Sequence, residues 1–261
     1  MHRTITLLVV LGSLALAPAA SGDDPTVWQP SPGTSWQIQL QGRVDTSFDV
    51  AAYDVDLFDT RRPLIGALHA DGRMVICYFS AGSYEDWRPD EGDFPEAILG
   101  DPLDDWPGER WLDVRDTDDL RRIMRKRLNL AERKGCDAVD PDNVDAYAND
   151  TGFPLTGRDQ SKYNRWLARQ AHRRGLAIGL KNDLGQVGRL VDHFDFAVNE
   201  QCFQYDECPR LRRFVEQGKA VFGIEYKGAL ASFCPQAVAE QFSTLKKRLS
   251  LEAWRLACDD I

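Results

Sequence analysis

Thr117-Asp-Asp-Leu-Arg-Arg-Ile-Met-Arg-Lys-Arg-Leu-Asn-Leu-Ala-Glu-Arg-Lys-Gly-Cys-Asp-Ala-Val-Asp140 contains a helix, its stop signal and a strand in succession. Leu120, Ile123, Met124 and Leu128 recur at the spacing of one helical face, which predicts a helix over Thr117–Arg133. Arg133 and Lys134 place cations at the negative end of the helix dipole, and Gly135 supplies the left-handed residue that ends the helix. A short β-prone run, Ala138–Asp140, follows at once. A strand entered directly from a helix of this length needs a crossover connection, so its neighbour in the sheet is parallel to it.

The same unit repeats in both directions. Strand candidates are Trp36–Leu40, Tyr53–Leu57, Met74–Phe79, Ala138–Asp140, Ala177–Leu180, Phe196–Val198 and Val221–Ile224, with a weaker eighth at Trp254–Ala257. Helical patterns lie between most of them: Arg61–His69, Thr117–Arg133, Ser161–Arg174, Leu184–Leu190, Arg210–Gln217 and Pro235–Leu249. Eight alternating units predict an α/β fold, a single-domain (β/α)8 TIM barrel over 35–261. An open doubly wound sheet is the alternative, but no Gly-x-Gly-x-x-Gly or Walker-type loop accompanies it. Ser80–Arg115, rich in proline and aromatic residues, interrupts the alternation after the third strand and so falls on the face where barrels build their sites.

At the amino terminus, His2-Arg3, an apolar run Ile5–Leu16 and Ala17-Pro18-Ala19 read as a secretory signal over 1–19. The run is too short to span a bilayer comfortably, which disfavours the alternative of a membrane anchor. A Pro/Ser/Gly-rich flexible leader is expected over 20–34, and the destination is secreted or periplasmic. The six cysteines contain no C-x2-C pair, so disulfides are expected rather than zinc. Cys202 with Cys208 and Cys234 with Cys258 are the expected pairs. Cys77 and Cys136 lie in strand-like runs and read as free, buried thiols.

Barrel enzymes place reactive groups at the carboxyl ends of strands. Carboxylates dominate those positions: Asp140-Pro141-Asp142 after the fourth strand and Asn199-Glu200-Gln201 after the sixth. Asp140 and Asp142, two apart, share a side if the segment stays extended. Two facing carboxyls suit glycosidic bond cleavage, one protonating the leaving oxygen while the other attacks carbon or activates water. Asp-rich turns also simply cap helices, the reading preferred for Asp145 and Asp150. Lys181-Asn182 and Glu225-Tyr226-Lys227 end the fifth and seventh strands and are candidate substrate contacts, Glu225 foremost in the latter; pairing with a neighbouring acid is the plainer alternative. Tyr78, Tyr84 and Tyr147, with Trp36 and Tyr205, are candidate stacking faces for sugar rings. The four histidines lie in the signal or on helical and loop segments, and no Gly-x-Ser-x-Gly elbow occurs, so serine, cysteine and histidine-metal hydrolysis lack support.

Trp36-Gln-Ile-Gln-Leu40, Val75-Ile-Cys-Tyr-Phe-Ser-Ala-Gly-Ser-Tyr-Glu-Asp-Trp-Arg88, Gly135–Tyr147, Asn199-Glu-Gln-Cys202 and Ile224-Glu-Tyr226 together resemble glycoside hydrolase family 114, the secreted endo-α-1,4-polygalactosaminidases. The resemblance covers about 33–257 of the chain. It implies a (β/α)8 barrel cutting α-1,4-linked galactosamine polymers without cofactor or metal. It also implies a catalytic Asp after the fourth strand and Glu after the sixth, matched here by Asp142 and Glu200; Asp140, two residues earlier, is the alternative match for the aspartate and otherwise a candidate substrate contact. Glu200, flanked by Phe196 and Val198, is the expected general acid of the pair, with the reversed assignment as the alternative.

Composition agrees with that implication. With 32 basic and 41 acidic residues the net charge is −9, which argues against nucleic acid or an anionic membrane as partner and for a cationic polysaccharide, acted on by a monomer. Two other functions stay open from sequence: a carbohydrate-binding barrel without turnover, and hydrolysis of another α-linked polysaccharide.

Overall fold

Alternation at period two gives each strand one face of mixed polarity and one of plain apolar residues, and that asymmetry decides how the sheet curls. The computed structural model describes residues 27–260. In chain order the elements are β1 (Trp36–Gln39), β2 (Ala52–Asp56), α1 (Arg62–Ala70), β3 (Met74–Ser80), β4 (Ser83–Glu85), β5 (Leu99–Pro102), β6 (Glu109–Leu112) and α2 (Asp119–Lys134). They continue with β7 (Ala138–Asp142), α3 (Gly157–His172), β8 (Ala177–Lys181), α4 (Val187–Leu190), β9 (Phe196–Glu200), α5 (Arg212–Glu216), β10 (Val221–Glu225), α6 (Leu230–Ala239), β11 (Ser243–Lys246) and β12 (Leu256–Ala257).

The main sheet runs β1-β2-β3-β7-β8-β9-β10-β11-β12, parallel throughout except for the last pair, and curls as a (β/α)8 barrel. Trp36, Ile38, Ile76, Phe196, Phe222 and Leu245 fill its interior, while Val55, Leu68, Leu128 and Leu167 pack strands against helices. The segment 251–257 closes the ring. Leu40 N–H donates to the Leu251 carbonyl (2.9 Å), the Gln37 side chain to the Ala253 carbonyl (2.8 Å) and the Trp36 indole to the Ser243 carbonyl (2.8 Å). α2 ends as its sequence demands, with Gly135 at φ 88° and its N–H on the Ala131 and Glu132 carbonyls. α3 begins with a reciprocal Thr156–Asp159 cap.

The eighth barrel strand corrects the sequence reading. It is Ser243–Lys246, inside the run expected to be helical, and Leu256–Ala257 is a short antiparallel addition to it. Pro235 reads as a helix start, yet it sits in the interior of α6, five residues after Leu230. Gln241, at φ 58°, then turns the chain into the strand. Leu245 and Leu249 stand four apart and mimic a helical face that tertiary pairing with β10 overrides.

The expected signal, 1–19, lies outside the described residues. The described part of the leader, 27–34, is held in place: Val27 and Trp28 pack against the barrel interior, Trp28 lies 6.1 Å from the Phe196 ring, and Ala220 N–H donates to the Pro30 carbonyl (2.8 Å).

All three disulfides form, Cys202–Cys208, Cys234–Cys258 and Cys77–Cys136. The third corrects the expectation of free thiols. Pairing of β3 with β7 in the register Cys77↔Val139 brings the turn before β7 alongside β3, with the two cysteine Cα atoms 6.0 Å apart. Because this bridge closes a 59-residue separation, the Cys77→Ser/Cys136→Ser variant is expected to lose about 2–4 kcal/mol of stability, measurable by chemical denaturation.

The insertion after β3 folds into an antiparallel sheet in the order β4-β6-β5. It is latched to the end of β7, where Ala81 and Gly82 N–H groups donate to the Asp142 carbonyl (2.9 and 3.1 Å). Only glycine fits at 82, because a Cβ there would lie 1.6 Å from the Asn143 carbonyl oxygen. Buried Arg88 pairs with Asp56 (2.8 Å) and Glu85 (2.7 Å), tying the insertion to the barrel rim.

Candidate active site

Period two decides which strand residues look inward. Along β7 these are Ala138, Asp140 and Asp142; along β8, Ala177, Gly179 and Lys181; along β9, Phe196, Val198 and Glu200; along β10, Phe222 and Ile224, followed by Tyr226. The interior therefore changes from apolar at the amino ends to charged at the carboxyl ends. After each of the first three strands the next residue takes a left-handed conformation: Asn143 at φ 60°, Asn182 at 49° and Gln201 at 66°. That turn carries the chain away sharply and leaves the last inward side chain at the mouth. Asparagine tolerates it; glutamine there is strained, a feature that concentrates at functional sites.

Lys181 joins the carboxyls. Its Nζ lies 3.5 Å from Asp140 Oδ2, 3.5 Å from Asp142 Oδ1 and 3.8 Å from Glu200 Oε2, and 5.4 Å from the centre of the Tyr78 ring. Asp142 accepts on both oxygens, from the Tyr78 hydroxyl (2.9 Å) and the Asn143 N–H (2.8 Å). Glu200 is held in the same way. The Tyr226 hydroxyl bonds to Oε1 and the Asn182 amide reaches Oε2 at 3.4 Å, while Asn182 Oδ1 accepts the Glu200 N–H (3.0 Å).

Burial works against the Lys181 ammonium, but Asp140, Asp142 and Glu200 outweigh it and hold its pKa well above the ordinary lysine value. Burial pushes the Asp140 carboxyl up to about 6, with Lys181 opposing. Burial likewise raises Asp145 to about 6 and Glu109 to about 7, helped in each case by the nearby Asp142 charge.

These groups floor a cavity of about 670 Å³ whose walls come from the barrel mouth, the insertion and the segment 249–252. Among the described residues ten carboxyl groups line it, against two cations, Arg88 and Lys181. Trp87 and Trp106, from the insertion, face the cavity while 52% and 47% exposed, which leaves their rings open to a ligand.

Of the candidates read from sequence, Asp142, Glu200, Tyr78, Lys181 and Asn182 line this cavity and Asp140 lies buried beneath it. Glu225 does not reach it: strand parity turns it outward, where it accepts the Phe203 N–H (2.9 Å), and its neighbour Tyr226 takes the inward place. Tyr84 packs edge-on against Phe94 (5.6 Å), and the Tyr147 hydroxyl is engaged by Asp183. Trp36 is buried in the barrel floor and Tyr205 stands exposed away from the cavity. Asp145 and Asp150, read as turn residues, line the cavity, as does Glu109. Counting in twos along β10 selects Tyr226 from the run Glu225-Tyr226-Lys227 that the sequence offered. Glu109 was not findable in that way, because its place depends on how the insertion folds back.

Residues 17–261 match the sequence profile of glycoside-hydrolase family GH114. Among solved structures, the chain is similar to Aspergillus fumigatus Ega3 in its complex with galactosamine, with 44% identity, a TM-score of 0.86, and coverage of 91% of this chain and 100% of that one. The glycoside hydrolase domain of PelA from Pseudomonas aeruginosa shares the fold, with 13% identity, a TM-score of 0.67, and coverage of 85% and 98%. No curated protein sequence matches the chain.

Proposed function

The chain belongs to glycoside-hydrolase family GH114, and from that premise we propose that it is an exported, endo-acting hydrolase of α-1,4-linked galactosamine polymers. The observation that carries this reading is the pair Asp142 and Glu200, brought from separate strands to one cavity floor by contacts to a single lysine. Galactosamine in complex with the similar Aspergillus fumigatus protein supports the sugar. The acid-lined cavity supports it independently, since a deacetylated amino sugar is cationic.

The two carboxyls are held alike, each by a phenolic hydroxyl on one oxygen and an N–H on the other, and they divide the chemistry between them. Asp142, on the shorter side chain and fixed by the Tyr78 hydroxyl and the Asn143 N–H, serves as the group that attacks carbon or activates water. Glu200, on the longer side chain, serves as the general acid that delivers a proton to the leaving glycosidic oxygen. Trp87 and Trp106 offer flat faces for sugar rings along the cavity wall. Three disulfides fit folding in an oxidising compartment, and among the described residues no helix is long and apolar enough to cross a membrane.

Reducing-end release from fully deacetylated, partly deacetylated and acetylated α-1,4 polymers tests the reading. Rapid release of oligosaccharides from the deacetylated forms, falling with acetylation, is the expected result. Retention of polymer without new reducing ends would leave a binding protein instead.

A further inference from the structure

Asp54 has no part in the chemistry just described, yet it is a costly residue to place in the barrel. It faces inward from β2, is fully buried, and receives no N–H or hydroxyl donor on either oxygen among the described residues. A carboxylate in that situation forfeits its hydration with nothing in return. The carboxyl that acts on it most strongly is Asp140 of β7, which lies one strand away across β3 on the same inward face, by the registers Asp54↔Ile76 and Tyr78↔Asp140. Asp140 in turn has one oxygen without a donor and the other 3.5 Å from Lys181 Nζ. The charged and titratable groups facing this layer are Asp140 and Asp142 from β7, Lys181 from β8, Glu200 from β9, Tyr78 from β3 and Tyr226 after β10. Four carboxyls thus surround one ammonium, and two of them can meet only if a proton lies between them.

We propose that Asp54 is a positioning residue for the hydrolytic reaction: it carries a proton, donates it to Asp140, and so keeps the Asp140 carboxylate aimed at Lys181, the ammonium that spaces Asp142 and Glu200. The pair then counts as one negative charge, and Lys181 retains attraction for the two carboxyls above it. Loss of the proton at high pH would double the charge beneath Lys181 and draw the ammonium down, away from the cavity floor. This inference rests on the proposed hydrolase function for its kinetic consequence, but not for the proton itself.

Two variants and two readouts test it. Asp54→Asn keeps a donor toward Asp140 but cannot ionise; Asp54→Leu has similar size and no donor. On deacetylated polymer, Asp54→Asn is expected to keep kcat near neutral pH and to hold activity further into the alkaline range than wild type. Asp54→Leu is expected to lose kcat by about 10- to 100-fold with KM little changed, the scale set by misplacing a catalytic group. The second readout needs no substrate: the infrared difference spectrum, wild type minus Asp54→Asn, is expected to show the carbonyl band of a protonated carboxylic acid at neutral pH. Absence of that band, or equal kcat losses in the two variants, overturns the proposal. If Asp54→Leu does not fold, the band and the alkaline limb of Asp54→Asn decide. A band in a wild type that cuts no polymer upholds the shared proton and defeats the hydrolase reading.

Discussion

Replacing Glu200 by glutamine is expected to leave the barrel folded and to reduce polymer turnover by about 10²- to 10⁴-fold, the usual contribution of a positioned general acid. Glutamine keeps the size of the side chain and can still meet the Tyr226 hydroxyl and the Asn182 amide, so the fold has little reason to change. It cannot deliver a proton to the leaving oxygen. The loss should therefore fall on kcat rather than KM, and it should shrink for substrates whose leaving group needs no protonation. Asp142→Asn is expected to be at least as damaging and to show no such rescue, since asparagine neither attacks carbon nor activates water. Initial rates on polymer and on an activated aryl galactosaminide, with melting curves to confirm folding, separate the two roles. Full activity in both variants would remove the pair from the mechanism.

Lys181→Met should harm both stability and activity. Lys181 is 2% exposed and Asp140 fully buried, so removing the ammonium leaves carboxyls without a counter-charge in a dry layer. Breaking a buried pair in this one-sided way costs about 3–5 kcal/mol. The cost should depend on pH in a definite direction. Burial already holds Asp140 at about 6 against the pull of Lys181, and without that pull it rises further. A carboxyl whose folded-state pKa exceeds its unfolded value favours the fold while protonated and loses that contribution as pH rises through the folded value. The difference in denaturation midpoint between variant and wild type is thus expected to be smallest near about pH 4 and to widen through about pH 6 and above. Turnover should fall by about 100-fold or more, because Asp142 and Glu200 lose the charge that sets their spacing. A variant as stable as wild type at neutral pH would show that the lysine is dispensable.

Much of this was legible in the chain because it depends on short-range periodicity. Gly135 after Arg133-Lys134, and the two-residue spacing of Asp140 and Asp142, predict a helix stop and a shared face without knowledge of anything distant. Seven of the eight barrel strands form where β-prone runs lie between helical patterns. The same count in twos points to Tyr226 in place of Glu225. The eighth strand was hidden because Leu245 and Leu249 also satisfy helical spacing, and only pairing with β10 chooses between the two.

What the sequence by itself determined, then, is the alternation of elements and the residues that end each strand, since both follow from local steric and hydrophobic preferences. Tertiary structure alone decided which of those residues meet. The 3.5 Å approach of Lys181 to both Asp140 and Asp142, the Cys77–Cys136 bridge, the turn of Glu109 into the cavity and the burial of Asp54 without a donor all depend on strand register and on how the insertion folds back. Those quantities join positions far apart in the chain, and no pattern within one element encodes the distance between two of them.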